Sequence, residues 1–498
     1  MMIRKVHYCC LGLSVVGVFA LGACGVGEHA DREGGAPVEA KVVVTTASVE
    51  ARDSFLRGRD LAEKLRATEA RVFFEEAVTA DPGFALAHLA LANSATTAQG
   101  FFDSLERAVE LAESVSEGER LMILGQDAGT RGDAAAQQKH YDALVEAFPG
   151  DERGHNLLGT FYFGRQEYEK AIEHYERATT INPDYSPPYN LLGYAHRAVN
   201  RFDEAEAAFK KYIALIPDEP NPYDSYAELL MKMGRFEESI ANYEIALAKN
   251  PSFVFSLVGV GHNQILLGET GAARSTYRKL YDKARNDGER RTALLWTTAS
   301  YLHEGDPQSA LEQCEKMRAI AEASGDWASV SGDFVLEGDI HLEAGESELA
   351  RGSYAASMKA VERADVNEDV KEAARRNQIF REARLALLEE SMGVARERTE
   401  AFAGAVSERN LPFEVRRVHE LQGLIALYDG DHASALAHLE QANQQNPRVL
   451  LEMSWAAESA GDLDRAREIA ERAARFNQLN INYAHVREKA EEFLDDLG

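Results

Sequence analysis

The sequence predicts an all-α protein, a right-handed superhelical solenoid of antiparallel helix pairs. Three observations carry this. Pro149, Pro183, Pro217 and Pro251 stand 34 residues apart, and between them the same small and large residues recur at the same offsets. Helical periodicity begins near Ser48 and does not stop. The one strand-like run, Lys41 to Val44, is too short and solitary to make a sheet. Self-similarity at such a period marks a unit that buries its apolar face only by stacking on its neighbours.

The chain opens on a targeting segment. Arg4 and Lys5 supply a positive start, and the apolar run from Cys9 to Ala23 is too short for a comfortable membrane span. Residues 1–23 therefore read as an export signal. They end in Leu21-Gly22-Ala23-Cys24, which resembles the lipobox of bacterial lipoproteins. The resemblance implies cleavage before Cys24, lipidation of Cys24 and a lipid-anchored place in the bacterial cell envelope. Gly25 follows the cysteine where inner-membrane members carry Asp, which points to the outer membrane, facing the periplasm. Residues 24–47, with glycines, scattered charges and no sustained helical period, read as a flexible tether between lipid and fold.

The clearest block runs from 152 to 185, with His155, Leu158, Gly159, Tyr162, Ala171, Tyr175, Ala178 and Pro183. The next, 186 to 219, supplies Tyr189, Leu192, Gly193, Ala205, Phe209 and Pro217, with His196 in an aromatic place and Tyr212 where Ala is usual. Residues 220 to 253 supply Tyr223, Ala227, Ser239, Tyr243, Ala246 and Pro251. Residues 254 to 287 keep Gly261, Gly268, Ala273 and Tyr277 without the proline. This pattern resembles the tetratricopeptide repeat (TPR), a helix-turn-helix unit. Its offsets have a packing cause. A small residue in each helix lets the two cross closely, and a large aromatic fills the hollow opposite. Proline then stops the second helix because it cannot continue one.

Outward from this centre the pattern weakens. Ala70, Phe74, Ala77 and Pro82 close a block beginning near 51, a degenerate pair spans 85 to 118, and Gly125, Tyr141 and Pro149 mark another. Downstream, Tyr301, Ala310 and Cys314 are followed by Phe334, Gly338, Gly345, Ala350 and Tyr354, with Ala310 and Cys314 answered by Ala350 and Tyr354 at a spacing of 40 residues. A poorer unit lies around 376 to 410, after which Gly423, Ala435, Ala442 and Pro447, then Gly461, Ala466 and Ala473, restore the pattern. The expectation is twelve helix pairs: regular repeats over 48–287, longer and irregular ones over 288–480, and a capping helix over 481–498 rich in Lys, Arg and Glu. The change of period near 288 is the expected boundary between two sub-arrays.

Composition narrows the task. With 82 acidic residues and a formal net charge of −28, the chain is a poor nucleic-acid binder, since that affinity comes mostly from neutralising phosphates. H-E-x-x-H, G-x-x-x-x-G-K-[ST] and G-x-S-x-G are absent, and no C-x-x-C lies beyond residue 24. Gly259-Val260-Gly261 falls inside a first helix, where Gly261 fills the small-residue slot. The pairs Glu389-Glu390 and Asp495-Asp496 read as solvated helix faces. His155 and His196 take aromatic places, and His432 and His438 are six apart, off a common helix face. No catalytic residue, metal site or cofactor is expected. Cys314, the one cysteine left beyond Cys24, takes a core position and is expected to be buried.

What remains is a groove. The family resemblance implies that first helices line a concave surface whose positions 5, 9 and 12 touch ligands. These fall on Asn156, Asn190, Asp224 and Val258; on Thr160, Tyr194, Glu228 and His262; and on Phe163, Arg197, Met231 and Ile265. Two Asn side chains one repeat apart can donate to and accept from an extended peptide backbone, and the aromatics and Met beside them offer anchor surface. Lys232 and Arg197 are the obvious cations here, so the groove lacks the Lys, Asn and Arg set that clamps C-terminal carboxylates in chaperone-binding members. The expected function is a non-enzymatic protein-protein interaction scaffold that docks envelope proteins or peptides. The alternative is a glycan or small-molecule receptor, or an enzyme, using the irregular region 291–410.

Overall fold

The computed structural model describes residues 41–407, 411–478 and 480–497. The segment read as an export signal, Cys24 and the stretch read as a tether as far as residue 40 lie outside the described residues. Those described hold twenty-five α-helices and no strand, which makes twelve pairs and a final helix.

The described residues divide into two compact units, with the division at Leu230. The first unit holds α1 (Val49–Glu63), α2 (Ala67–Ala80), α3 (Ala85–Asn93), α4 (Ala98–Leu111), α5 (Glu117–Thr130), α6 (Ala134–Ala147), α7 (Glu152–Gly164), α8 (Tyr168–Ile181), α9 (Pro187–Ala198), α10 (Phe202–Leu215) and most of α11 (Asn221–Lys232). The second begins with the end of α11. It continues through α12 (Phe236–Lys249), α13 (Val254–Leu266), α14 (Thr270–Lys283), α15 (Asp287–Leu302), α16 (Pro307–Ser324), α17 (Trp327–Glu343) and α18 (Ser347–Arg363). Then come α19 (Glu368–Leu388), α20 (Met392–Ser407), α21 (Pro412–Tyr428), α22 (His432–Leu439), α23 (Pro447–Ser459), α24 (Leu463–Ala474) and α25 (Ile481–Asp496).

The 34-residue period is written into the backbone as well as the side chains. Gly132, Gln166, Asn200, Gly234 and Gly268 all have left-handed φ, between 60° and 81°, at the turn inside successive pairs. Only a left-handed residue lets the chain reverse there within so few residues, which is why glycine dominates. Later turns put Gly305, Gly345, Glu390, Gly430 and Gly461 in the same conformation at wider and uneven spacing. The helices lengthen in step: α7 to α14 have 12 to 14 residues, whereas α15 to α19 have 16 to 21.

In six of the pairs the expected glycine-aromatic contact is present. A Cβ on Gly193 would sit 2.5 Å from Phe209 Cζ, and one on Gly159 would sit 2.7 Å from Tyr175. Gly58 with Phe74, Gly125 with Tyr141, Gly261 with Tyr277 and Gly338 with Tyr354 repeat the arrangement. These aromatics are buried, and Cys314 is fully buried among Leu294, Ala310 and Met317.

The units part at 230 and not at 288, where the period changes. The reason is packing: Met231 and Leu266 share one core with Leu450, Met453, Phe476 and Tyr483 from the end of the chain. Around 288 no core is interrupted, since Tyr281 of α14 packs with Ala293 and Trp296 of α15.

Candidate functional site: the inner face of the repeats

Odd-numbered helices of neighbouring pairs touch one another, α3 with α5 and α7 with α9 in the first unit, α13 with α15, α19 with α21 and α23 with α25 in the second. They form the inner face, and the candidate positions lie on these helices. What that face offers differs between the units.

In the first unit Asn156 is fully buried and Asn190 nearly so. Among the described residues, neither amide atom of the Asn156 side chain has a hydrogen-bond partner, nor does Asn190 Oδ1. Thr160 Oγ1 donates to the Asn156 carbonyl at 2.8 Å and accepts from Tyr175 Oη at 3.3 Å. Phe163 meets Tyr168 edge-on, with ring centroids 5.4 Å apart. Tyr194, Arg197 and Glu228 are joined: Tyr194 Oη donates to Ser225 Oγ at 3.1 Å, and Arg197 pairs with Glu228 at 2.9 Å. Arg197 also lies over the Tyr194 ring at 4.7 Å. Asp224 is buried beside them. Burial pushes the Tyr194 hydroxyl well above its usual range, so it stays a neutral donor. These residues stitch adjacent repeats together; Asn156 and Asn190 are the ones whose hydrogen-bonding capacity is unspent.

A feature that the sequence did not reveal crosses the ends of these helices. Residues 41–46, read as tether, lie extended on the first unit with alternating side chains: Val42 and Val44 buried, Val43 exposed. Val42 fits beside Gly118, where a Cβ would lie 2.5 Å from its methyl, and packs with Leu121, Met122, Leu144 and Phe148. Val44 joins the core of α1 to α4. The backbone is held too. Val42 N–H donates to Asp151 Oδ2 at 3.0 Å and Thr45 N–H to Glu119 Oε1 at 2.8 Å. Ser116 Oγ donates to the Val43 carbonyl at 3.0 Å. Lys41 pairs with Glu152 at 2.7 Å. Asp151 and Ser116 are the N-caps of α7 and α5, so the strap is read by groups that also cap the helices. Burial opposes the charge on Glu152, but Arg153, Lys41 and Asn182 outweigh it and hold its pKa at about 2. The only hint in the sequence was the Val-x-Val alternation, which periodicity alone does not distinguish from a loop.

In the second unit the inner face is covered by the chain itself. Met231 and His262 are buried under the C-terminal elements, and Asn156, Asn190 and Asp224 are buried to the same degree in the first unit, so none of these five side chains is open to a partner in this conformation; the expectation for them is corrected by burial. Lys232 donates to the Phe476 carbonyl at 2.6 Å, Arg487 of α25 donates to the Leu266 carbonyl at 3.2 Å, and Lys489 pairs with Glu343 of α17 at 2.9 Å. Arg448 of α23 reaches the same Glu343 at 2.7 Å. Deeper in, Arg384 lies between Glu420 at 2.6 Å and Glu452 at 3.2 Å. In the region 291–410 polar side chains are paired in the same manner, Arg291 with Asp333 and Arg318 with Glu337.

This closure sets the electrostatics. Burial pushes His262 down to about 4 and drives His303 well below its usual value. Burial also takes His485 down to about 4, although Glu343 favours its charge. Glu343 is itself held at about 2, because Arg448, Lys489 and His485 overcome its burial. Burial, with Glu420 close by, raises Glu452 to about 7 in spite of Arg384. Burial, then Asp333 and Glu337, pushes the Cys314 thiol up to about 12, so it is no nucleophile. Among the described residues no group of three or more His, Cys, Asp or Glu converges as a metal site, and no helix is long and apolar enough to cross a membrane.

Comparison with known proteins accords with this geometry. Residues 152–218, 227–287 and 426–495 each match a tetratricopeptide-repeat family model. No curated protein matches the chain. Among solved structures, a tetratricopeptide repeat protein from Parabacteroides merdae is 14% identical, covering 54% of this chain and 93% of its own, with a TM-score of 0.35. A thermophilic TPR protein of Thermus thermophilus is 22% identical, covering 44% of this chain and 99% of its own, at 0.29. YrrB, described as a TPR protein with an unusual peptide-binding site, is 16% identical, covering 36% and 91%, at 0.28. The chain is an all-α array of helix pairs, and its stretches 152–218, 227–287 and 426–495 are tetratricopeptide repeats.

Proposed function

We propose that the protein is a non-enzymatic scaffold that docks partner proteins through extended peptide segments, and that it does so in the bacterial cell envelope, held by a lipid on Cys24. One observation carries the docking: the first unit already holds an extended peptide, its own residues 41–46. Two apolar slots take alternate side chains, carboxylates accept the backbone N–H groups of Val42 and Thr45, and Glu152 takes the Lys41 ammonium. Main-chain hydrogen bonds supply affinity and alternate pockets supply selectivity, the usual division of labour in recognition of extended peptides. The placement rests on the lipobox resemblance at Leu21-Gly22-Ala23-Cys24.

The docking is tested with a fluorescein-labelled peptide of residues 39–48 and the chain carrying Val42→Asp and Val44→Asp, which evicts the strap. Saturable binding that is lost on adding Asp151→Ala supports the reading; no binding to the evicted chain overturns it. The anchor is tested separately by metabolic labelling with a fatty acid, which Cys24→Ala is expected to abolish. Persistent labelling would refute lipidation at Cys24.

A further inference from the structure

The final helix does more than end the array. One side of α25, with Tyr483, Val486 and Ala490, packs in the core of α23 and α24 as a terminal helix should. Another side, with Ala484 and Ile481, joins Leu294 and Leu302 of α15, the inner face of helices some 180 residues earlier. Its cations find complementary charge there. The Arg487 guanidinium meets the Leu266 carbonyl at the C-terminal, negative end of α13, and Lys489 meets Glu343 near the C-terminal end of α17.

The fit is incomplete where it matters. Beneath this segment both ring nitrogens of His262 and Nε2 of His303 are buried without a hydrogen bond of ordinary geometry. Interaction with the Gln478 backbone favours a proton on His262, and burial outweighs it. The neighbouring rings stand nearly perpendicular to these two imidazoles: His303 and Tyr483 have centroids 5.8 Å apart, and His262 and Trp296 have centroids 5.6 Å apart. Unspent buried polar groups are costly and uncommon in a settled core. The tie at Arg487 and Lys489 is partly solvated, with those side chains 28% and 47% exposed, and so contributes little to holding the helix down.

We propose that α25 is a displaceable occupant of the inner face made by α13, α15 and α17. When α25 leaves, that face docks an amphipathic helix of a partner protein, one with cations placed to meet the Leu266 carbonyl and Glu343 as Arg487 and Lys489 do, and with a hydrogen-bonding side chain that reaches His262 and His303. The proposal extends the scaffold reading to a second surface and a different peptide conformation.

Hydrogen exchange on the full chain tests it. In the unaltered protein the amides of 484–494 are expected to exchange at least tenfold faster than those of α23, and Arg487→Glu/Lys489→Glu should widen that gap while leaving α23 unchanged. A labelled peptide of residues 480–497 is then expected to bind the double variant saturably, and a scrambled peptide of the same composition not to bind. Exchange of α25 at the same rate as α23 in the unaltered protein overturns the proposal, whether or not the double variant folds. Failure of the peptide to bind a folded double variant also overturns it. Neither outcome touches the strap experiment, which reads the first unit.

Discussion

The Lys232 ammonium lies 4.1 Å from the centroid of the Phe476 ring and donates to that residue's carbonyl at 2.6 Å, joining positions 244 residues apart. A chain in which each repeat touched only its neighbours would have no such contact. Here the second unit returns on itself, so its inner face is met first by its own C-terminal end. Binding to that face must therefore compete with a tethered occupant, whose effective concentration is high.

The repeat packing predicts a sharp response at Gly193. Adding a single methyl there drives it against Phe209 Cζ, a fully buried ring with nowhere to move. Gly193→Ala is expected to destabilise by about 1 to 3 kcal/mol in urea denaturation. An unchanged midpoint would mean that the helix pair tolerates a wider crossing.

The turn residues give the opposite sign. Gln166 is held at φ 61°, where an L side chain is strained and Gly is not. Gln166→Gly is expected to stabilise by about 1 kcal/mol, and Gly268→Ala, at φ 81°, to destabilise by a similar amount. Thermal melts of the two variants should shift in opposite directions.

Arg384 is the counter-ion for two buried carboxylates. Arg384→Met leaves Glu420 and Glu452 facing each other unneutralised, at an expected cost of about 3 to 5 kcal/mol. The folded variant would favour a neutral Glu452 carboxyl more strongly still, keeping its folded pKa above the unfolded one. Its deficit should then be smallest at acid pH and grow as pH rises. Adding Glu420→Gln and Glu452→Gln should recover most of the loss at pH 8, and a pH-independent deficit would count against the pairing.

His262 predicts the reverse dependence. It is neutral and buried, with its folded pKa pushed to about 4, below the ordinary value of 6.5. The unfolded chain therefore binds the proton first, so this contribution is fully present above about pH 6.5 and is lost as pH falls towards 4, on the order of 3 kcal/mol in all. His303 and His485 act in the same sense. His262→Leu should flatten the fall in stability of the second unit between pH 6.5 and 4, measured by urea denaturation at each pH. A slope equal to the parent's would sink the assignment.

Much of this was legible in the residues. Gly159, Gly193 and Gly261 with Tyr175, Phe209 and Tyr277 placed the helix pairs, because a helix crossing is a local matter settled by side chains within one repeat. The candidate positions followed from the same register, and the helices that carry Asn156, Asn190, Tyr194 and Arg197, α7 and α9, touch one another. The left-handed Gln166 and Asn200 escaped notice because neither is glycine, although their 34-residue spacing was available.

What the sequence determined by itself was the repeat: its period, its pairs and the side that faces inward, all of which depend on contacts a few tens of residues apart. Tertiary structure alone decided what lies against that side. Lys41 to Thr46 read as tether until Asp151, Glu119 and Gly118 were seen to receive them, and α25 read as a polar cap until Ala484 met Leu294 and Leu302. The physical reason is accumulation. Small rotations between successive pairs, each too slight to leave a mark in sequence, add up over many repeats, and only their sum brings Phe476 to Lys232.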